Sequence, residues 1–142
     1  LFTKLERLLQ AEPRSERVVY CDGKVDRSTG KELQVYGDAN LLTLALINLI
    51  RNALQAVEGQ ENGIVRVDTC AGATGHLLII ITDNGSGIPA ERLSVIFTPF
   101  FSTKSGGSGI GLPISQRIMQ LHGGQLSVSS IPNVRTEFRM EF

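Results

Sequence analysis

The chain has 142 residues, room for one domain whose core removes about 68–70% of the unfolded surface from water. Apolar residues make up 42% and charged residues 20%, which excludes a disordered chain and predicts a globular one. Fourteen basic residues cancel fourteen acidic ones, so there is no electrostatic footprint for nucleic acid or an anionic membrane. The apolar runs fall far short of the roughly 20 residues that span a bilayer.

In chain order, LFTKLERLLQAEPRSE lacks a signal-peptide core, and residues 1–10 read as a short helix broken by AEPRSE. Residues 1–12 are expected to be the end of a linker or of a helix from something longer, and 13–142 the folded unit. RVVYC predicts a strand, DGKVDRSTG a polar loop, and KELQVYG a second strand with Leu33 and Val35 on one face. The strongest helix is DANLLTLALINLIRNALQAV, capped by Asp38 and ended by GQENG. IVRVDTC alternates as a strand, AGATG makes a hairpin turn, and HLLIIIT follows as a continuously apolar, central strand. AERLSVIF holds a short helical turn, and TPFFSTKSGGSGIG is a long polar stretch ending in glycines. LPISQRIMQLH predicts a helix with Pro113 in its first turn. GQLSVSS and TEFRMEF close the chain as strands, the latter with Phe138, Met140 and Phe142 inward and Glu137, Arg139 and Glu141 outward. Cys21 and Cys70 fall in predicted strands without metal-ligand spacing, as expected of reduced, buried thiols in a cytoplasmic protein. The pattern implies an α+β fold, a two-layer α/β sandwich with a mixed, mostly antiparallel sheet and helices on one face.

The long helix carries its main polar residues, Asn48, Arg51, Asn52 and Gln55, at offsets of zero, three, four and seven, which places them on one stripe. Spacing alone leaves a solvated face and a ligand face equally open. Asparagine is a poor helix former, and solvated faces favour Glu and Lys. A carboxamide oxygen is a neutral, hard ligand suited to Mg²⁺ when phosphates supply the rest of its shell.

Two glycine clusters follow. In SGGSGIGLPIS, Gly107, Gly109 and Gly111 lead into a helix, where exposed amides and the helix dipole favour an anion; a plain flexible linker is the other reading. A dinucleotide fingerprint needs a strand immediately before it, and a Walker loop needs a following Gly-Lys-Ser/Thr; neither is present. In LLIIITDNGSGIP, Asp83 ends a buried strand, where a carboxylate needs a partner. Taken alone, DNGSG reads as an Asx-type turn. With phosphates assigned to the other cluster, Asp83 is placed to accept from an adenine amine, and Gly85 and Gly87 to let backbone approach a flat base.

NLIRNALQA, DNGSGIP, FTPFFSTK and GSGIGLPIS, in this order and spanning about Val18 to Phe142, resemble the ATP-binding catalytic domain of sensor histidine kinases. That superfamily includes gyrase, Hsp90 and MutL and shares the Bergerat ATP-binding fold; TPFFSTK is most similar to the nitrogen-regulation type. The resemblance implies ATP and Mg²⁺ as ligands, with Asn52 on the metal and Asn48 beside it toward the phosphates. It implies that Asp83 reads adenine, with Gly85, Gly87 and Ile88 shaping its loop and Thr136 helping to hold the aspartate and a water. Phe97, Phe100 and Phe101 would anchor an ATP lid over Ser94 to Gly109. Thr103, Lys104, Gly107 and the turn Ser108, Gly109, Ile110, Gly111 and Leu112 would contact the phosphates. Catalysis would rest on Asn48, Asn52 and Lys104, with Arg51 and Gln55 at the phosphate end.

Three departures qualify the resemblance. Gyrase-like ATPases place a water-activating glutamate four residues before the magnesium asparagine; here Asn48 stands there, and an amide cannot act as that base. Phosphoryl transfer is therefore expected in place of hydrolysis. Many histidine kinases have a lysine where this chain has Gln55, and a glycine where it has Arg135. His76 begins a strand and His122 ends a helix, so capping or exposure accounts for both better than a role as phosphoacceptor. The acceptor histidine is expected on a separate dimerisation domain of the parent protein, with a response regulator downstream. The domain itself is expected to be monomeric, cytoplasmic, and without membrane or nucleic-acid contact, though the parent could be membrane-anchored. Rival readings are a serine kinase or clamp ATPase of the same superfamily, or a degenerate nucleotide-binding module.

Overall fold

The computed structural model describes residues 17–21, 34–72, 76–102 and 108–142. The helix expected over residues 1–10, the loop over 22–30 and the start of KELQVYG lie outside them. One sheet contains β1 (Val18–Cys21), β2 (Val65–Ala71), β3 (Leu77–Asp83), β4 (Gln125–Ile131) and β5 (Arg135–Glu141), in the order β1-β2-β3-β5-β4. β1 runs parallel to β2 and the other neighbouring pairs are antiparallel, so the expected mixed sheet is what forms. A parallel pair needs a long crossover, and α1 (Ala39–Ala56) lies between these two strands in the chain. Two further helices, α2 (Ala90–Leu93) and α3 (Gly111–Leu121), complete the described elements.

The period of two puts Val65 and Val67 from β2, Leu77, Ile79 and Ile81 from β3, and Phe138 and Met140 from β5 on one buried face. Against it lie Leu42, Leu46, Leu49, Ile50 and Ala53 of α1 and Ile118 and Met119 of α3. Each large apolar side chain buried this way contributes about 1.5–3 kcal/mol. Asp38 caps α1 as expected, its Oδ1 accepting from Asn40 N at 2.8 Å and Leu41 N at 3.2 Å. Small residues bring α1 and α3 together: Ala45 and Ser115 are fully buried, and Ser115 Oγ donates to Gly111 O at 2.9 Å inside its own helix.

Three expectations change. Residues 34–37 are irregular, not the strand that the alternation in KELQVYG predicts. Their chain is tied to the far end of α3 instead. His122 Nε2 accepts from Asp38 N at 3.0 Å, which makes Nδ1 the donor to Ile118 O at 2.7 Å. A Cβ on Gly37 would fall 2.3 Å from His122 Cδ2. His122 is thus a capping residue, and His76 is simply exposed. Glu137 is on the outer face as expected yet is only 6% exposed, because Arg135 and Arg139 close over it as ion-pair partners. Cys70 carries a free thiol that is half-buried, not buried; the Cys21 side chain lies outside the described residues.

Candidate functional site

A cavity of about 630 Å³ opens between α1, the loop after β3 and the chain leading into α3. Its volume is in the range of small-molecule and cofactor sites, roughly 300–1,000 Å³. The whole polar stripe of α1 lines one wall: Asn48, Arg51, Asn52 and Gln55. The stripe thus borders the cavity, with Asn48 and Asn52 half-buried and Arg51 and Gln55 also exposed to solvent. Asp83, Thr136 and Phe138 lie at the sheet end, with Asp83 3% and Thr136 2% exposed.

The loop after β3 forms the Asx turn that DNGSG predicts, with Gly85 N donating to Asp83 Oδ1 at 2.9 Å. Ser86 N donates to Ala56 O at 3.1 Å and Ile88 N to Ser130 Oγ at 2.9 Å. These three amides are occupied by protein acceptors, so the loop is not a cradle for phosphates. The glycines serve close approach. A Cβ on Gly85 would lie 2.4 Å from Ala56 O, so this residue packs on the end of α1 and does not line the cavity. Gly87 has φ +75° and its Cβ would lie 2.6 Å from Pro132 Cα; it lines the cavity together with Ile88. Asn84 fastens the loop to the turn after α1: its Oδ1 accepts from Ile64 N and its Nδ2 donates to Asn62 O, both at 2.8 Å.

The second glycine cluster forms the remaining wall. Ser108, Gly109, Gly111 and Leu112 line the cavity, whereas Ile110 is 39% exposed and does not. Thr103, Lys104 and Gly107 lie outside the described residues. No side chain caps the start of α3, which leaves the positive end of its dipole at the cavity. Asn48 Nδ2 reaches Gly111 O at 3.4 Å and so links the α1 stripe to this helix start. Gly109 has φ +65° and crosses Phe100 so closely that a Cβ would meet Phe100 C at 2.5 Å; Phe100 N donates to Gly109 O at 3.0 Å. The three phenylalanines expected to anchor a lid are placed differently. Phe97 and Phe101 pack on the core, while Phe100, at φ 66°, is 80% exposed.

Further residues complete the lining, of which Arg92 and Ile96 carried no sequence signal. Arg92, Ile96 and Phe101 bring a cation and apolar surface to the wall, Ser86 and Pro89 belong to the loop, and Phe138 rises from the sheet. Charge around the cavity comes from Arg51, Arg92 and Asp83 among the described residues. Asp83 is the buried member of this set, at 3% exposed.

Residues 37–142 match the family described as "Histidine kinase-, DNA gyrase B-, and HSP90-like ATPase". The chain is 40% identical over 98 residues to the sensor histidine kinase ZraS of Salmonella typhimurium, covering 69% of this chain and 21% of that protein. It is 41% identical over 96 residues to sporulation kinase C of Bacillus subtilis, covering 68% of this chain and 22% of the relative. The chain therefore spans about a fifth of the length of these curated relatives. Among solved structures, the mycobacterial sensor histidine kinase MprB superposes with a TM-score of 0.77 at 27% identity, over 99% of this chain and 93% of that one. The match over most of the chain, together with the fold and the cavity it encloses, places this protein in the histidine kinase-, gyrase B- and HSP90-like ATPase family, as an ATP-binding domain of the histidine kinase type.

Proposed function

We propose that this chain is the catalytic domain of a two-component sensor kinase, holding Mg-ATP and presenting its γ-phosphoryl group to a histidine on a separate dimerisation domain of the parent protein. The observation that carries this reading is the lining of a single cavity by a buried carboxylate, an uncapped helix start and two arginines. Adenine belongs at Asp83 and Thr136. The phosphates belong between the α1 stripe and the start of α3, with Lys104 and Thr103 contributing from the lid.

The donor set fits magnesium held largely by the nucleotide. Among the described residues no group of three His, Cys, Asp or Glu could hold a metal by itself. Asn52 lines the cavity one turn after Asn48, and a carboxamide oxygen there adds a hard ligand without adding negative charge. Bound Mg²⁺ supplies charge neutralisation at the phosphates. The protein's own part is positioning, which dominates phosphoryl transfer. Asn48 in place of an acidic residue leaves no base on this helix to activate water, so transfer is favoured over hydrolysis.

Residues 1–12 lie outside the described residues; a response regulator is the proposed downstream acceptor. No described helix is long and apolar enough to cross a membrane. A cytoplasmic position and a monomeric isolated domain complete the proposal; the nitrogen-regulation type rests on TPFFSTK alone. The test is a transfer assay with γ-labelled ATP, with and without the parent's dimerisation domain added in trans. Label that is acid-labile, base-stable and found on the added domain supports the reading. Release of inorganic phosphate by this chain alone, with no label on the domain, contradicts it and favours an ATPase.

A further inference from the structure

Asp83, Thr136 and Ser130 stand side by side across three strands, since Asp83 pairs with Thr136 and Thr136 with Ser130 in the sheet register. Directly opposed residues share a face, so this is a polar row along the rim of an otherwise apolar core. The two ends of the row hold the two ends of the glycine loop. Asp83 Oδ1 takes the Gly85 amide at 2.9 Å, and Ser130 Oγ takes the Ile88 amide at 2.9 Å. Between them, Thr136 lines the cavity and its Oγ1 lies 3.0 Å from Ser130 Oγ.

A serine hydroxyl has one proton and two lone pairs. At Ser130 one lone pair is committed to the Ile88 amide. The proton can go to Thr136 Oγ1 at 3.0 Å or to Arg135 O at 3.4 Å, and the second distance is beyond the usual hydrogen-bond range. Donation to Thr136 leaves the Thr136 proton for an acceptor on its other sides, one of which is the cavity that Thr136 lines. The rim then presents an acceptor, Asp83, beside a donor, Thr136. That order matches the edge of adenine, whose amine donates and whose adjacent ring nitrogen accepts. Guanine presents the reverse order, a carbonyl beside an N–H.

We infer that Ser130 is a positioning residue that determines base specificity: it orients the Thr136 hydroxyl as a donor toward the base and fixes the Ile88 end of the loop in the same contact. The inference rests on the adenine assignment proposed above, which the assay tests separately.

Affinities of the 142-residue chain for ATP and GTP with Mg²⁺, measured by calorimetry, are compared for wild type, Ser130→Ala and Ser130→Thr. The expected result is about a fivefold loss of ATP affinity in Ser130→Ala, the equivalent of one net hydrogen bond, with GTP unchanged and the ATP/GTP ratio restored in Ser130→Thr. In a Thr136→Val background, Ser130→Ala is expected to leave the ratio unchanged, because the relay has already been removed. Should the alanine variant not fold, Ser130→Cys, similar in shape but a weak hydrogen-bonding partner, is expected to show the same fall. A wild-type ratio retained in Ser130→Ala, or in Ser130→Cys where the alanine variant does not fold, overturns the inference whatever the absolute affinities. So does a further fall in the Thr136→Val background. A wild-type chain that binds ATP and GTP equally overturns the adenine assignment itself.

Discussion

Replacing Gly85 with Ala tests whether the loop after β3 is seated on α1 in the way described. Gly85 has no positive φ, so its need is for space and not for backbone freedom. A Cβ would lie 2.4 Å from Ala56 O and 2.5 Å from Ala56 C, backbone atoms of the last residue of α1 that no rotamer change can relieve. Relief requires the loop to lift, which strains the bonds from Gly85 N to Asp83 at 2.9 Å and from Ser86 N to Ala56 O at 3.1 Å. Two hydrogen bonds at about 1 kcal/mol each, plus overpacking of about 1–3 kcal/mol, are offset by about 0.4–1 kcal/mol from the stiffer unfolded chain. The net cost is about 2–4.5 kcal/mol, or a fall in melting temperature of roughly 10 °C for a domain of this size. Gly59 is the control: its φ is +78° with nothing within 4 Å of a Cβ, so Gly59→Ala carries only the left-handed penalty. That penalty is about 1 kcal/mol. Thermal and urea unfolding of both variants, followed by circular dichroism, gives the comparison. If Gly85→Ala is as stable as Gly59→Ala, the loop does not sit against α1 and the account of the cavity wall fails.

Asn84→Ala removes both bonds to the turn after α1 and is expected to cost about 1–2 kcal/mol by urea unfolding; an unchanged midpoint would contradict the clamp. Gly37→Ala drives a Cβ into the His122 ring, which is held at both nitrogens, and should destabilise by about 1–3 kcal/mol, read from the same transition. Asn52→Ala should abolish the magnesium-dependent part of ATP binding in calorimetry with and without EDTA; an unchanged magnesium effect removes Asn52 as a ligand.

The fold was legible wherever periodicity and caps agreed. Asp38 and the apolar pattern behind it specify α1, and the alternation of Phe138 and Met140 specifies the inward face of β5. KELQVYG misled because alternation reports which side chains are apolar, not whether a neighbouring strand is available to pair. What holds the last part of that segment is a histidine 84 residues away from Asp38, a contact with no local signature. At the site, the α1 stripe was visible because helical spacing alone aligns Asn48, Arg51, Asn52 and Gln55. Gly85 carried the same glycine signal as Gly87, yet one packs on a helix end and the other lines the cavity. Arg92 and Ser130 were invisible, since a single arginine on a short helix and a serine in an edge strand gain meaning only from what lies across from them. Glu137 shows the same limit: its outward position follows from alternation, but its burial follows from two flanking arginines that fold over it.

The most direct test of the central claim is the base preference of the chain and of Asp83→Asn. Asparagine keeps the Oδ1 that accepts from Gly85 N, so the turn survives and the change falls on the carboxylate's part in reading the base. Calorimetric titration with Mg-ATP and Mg-GTP should show wild type binding ATP in clear preference. Asp83→Asn should lose about tenfold to hundredfold in ATP affinity, the worth of a charge-assisted hydrogen bond of about 1.5–3 kcal/mol. Equal affinity of the wild-type chain for the two nucleotides, or an Asp83→Asn variant that binds ATP as tightly as wild type, would contradict the account.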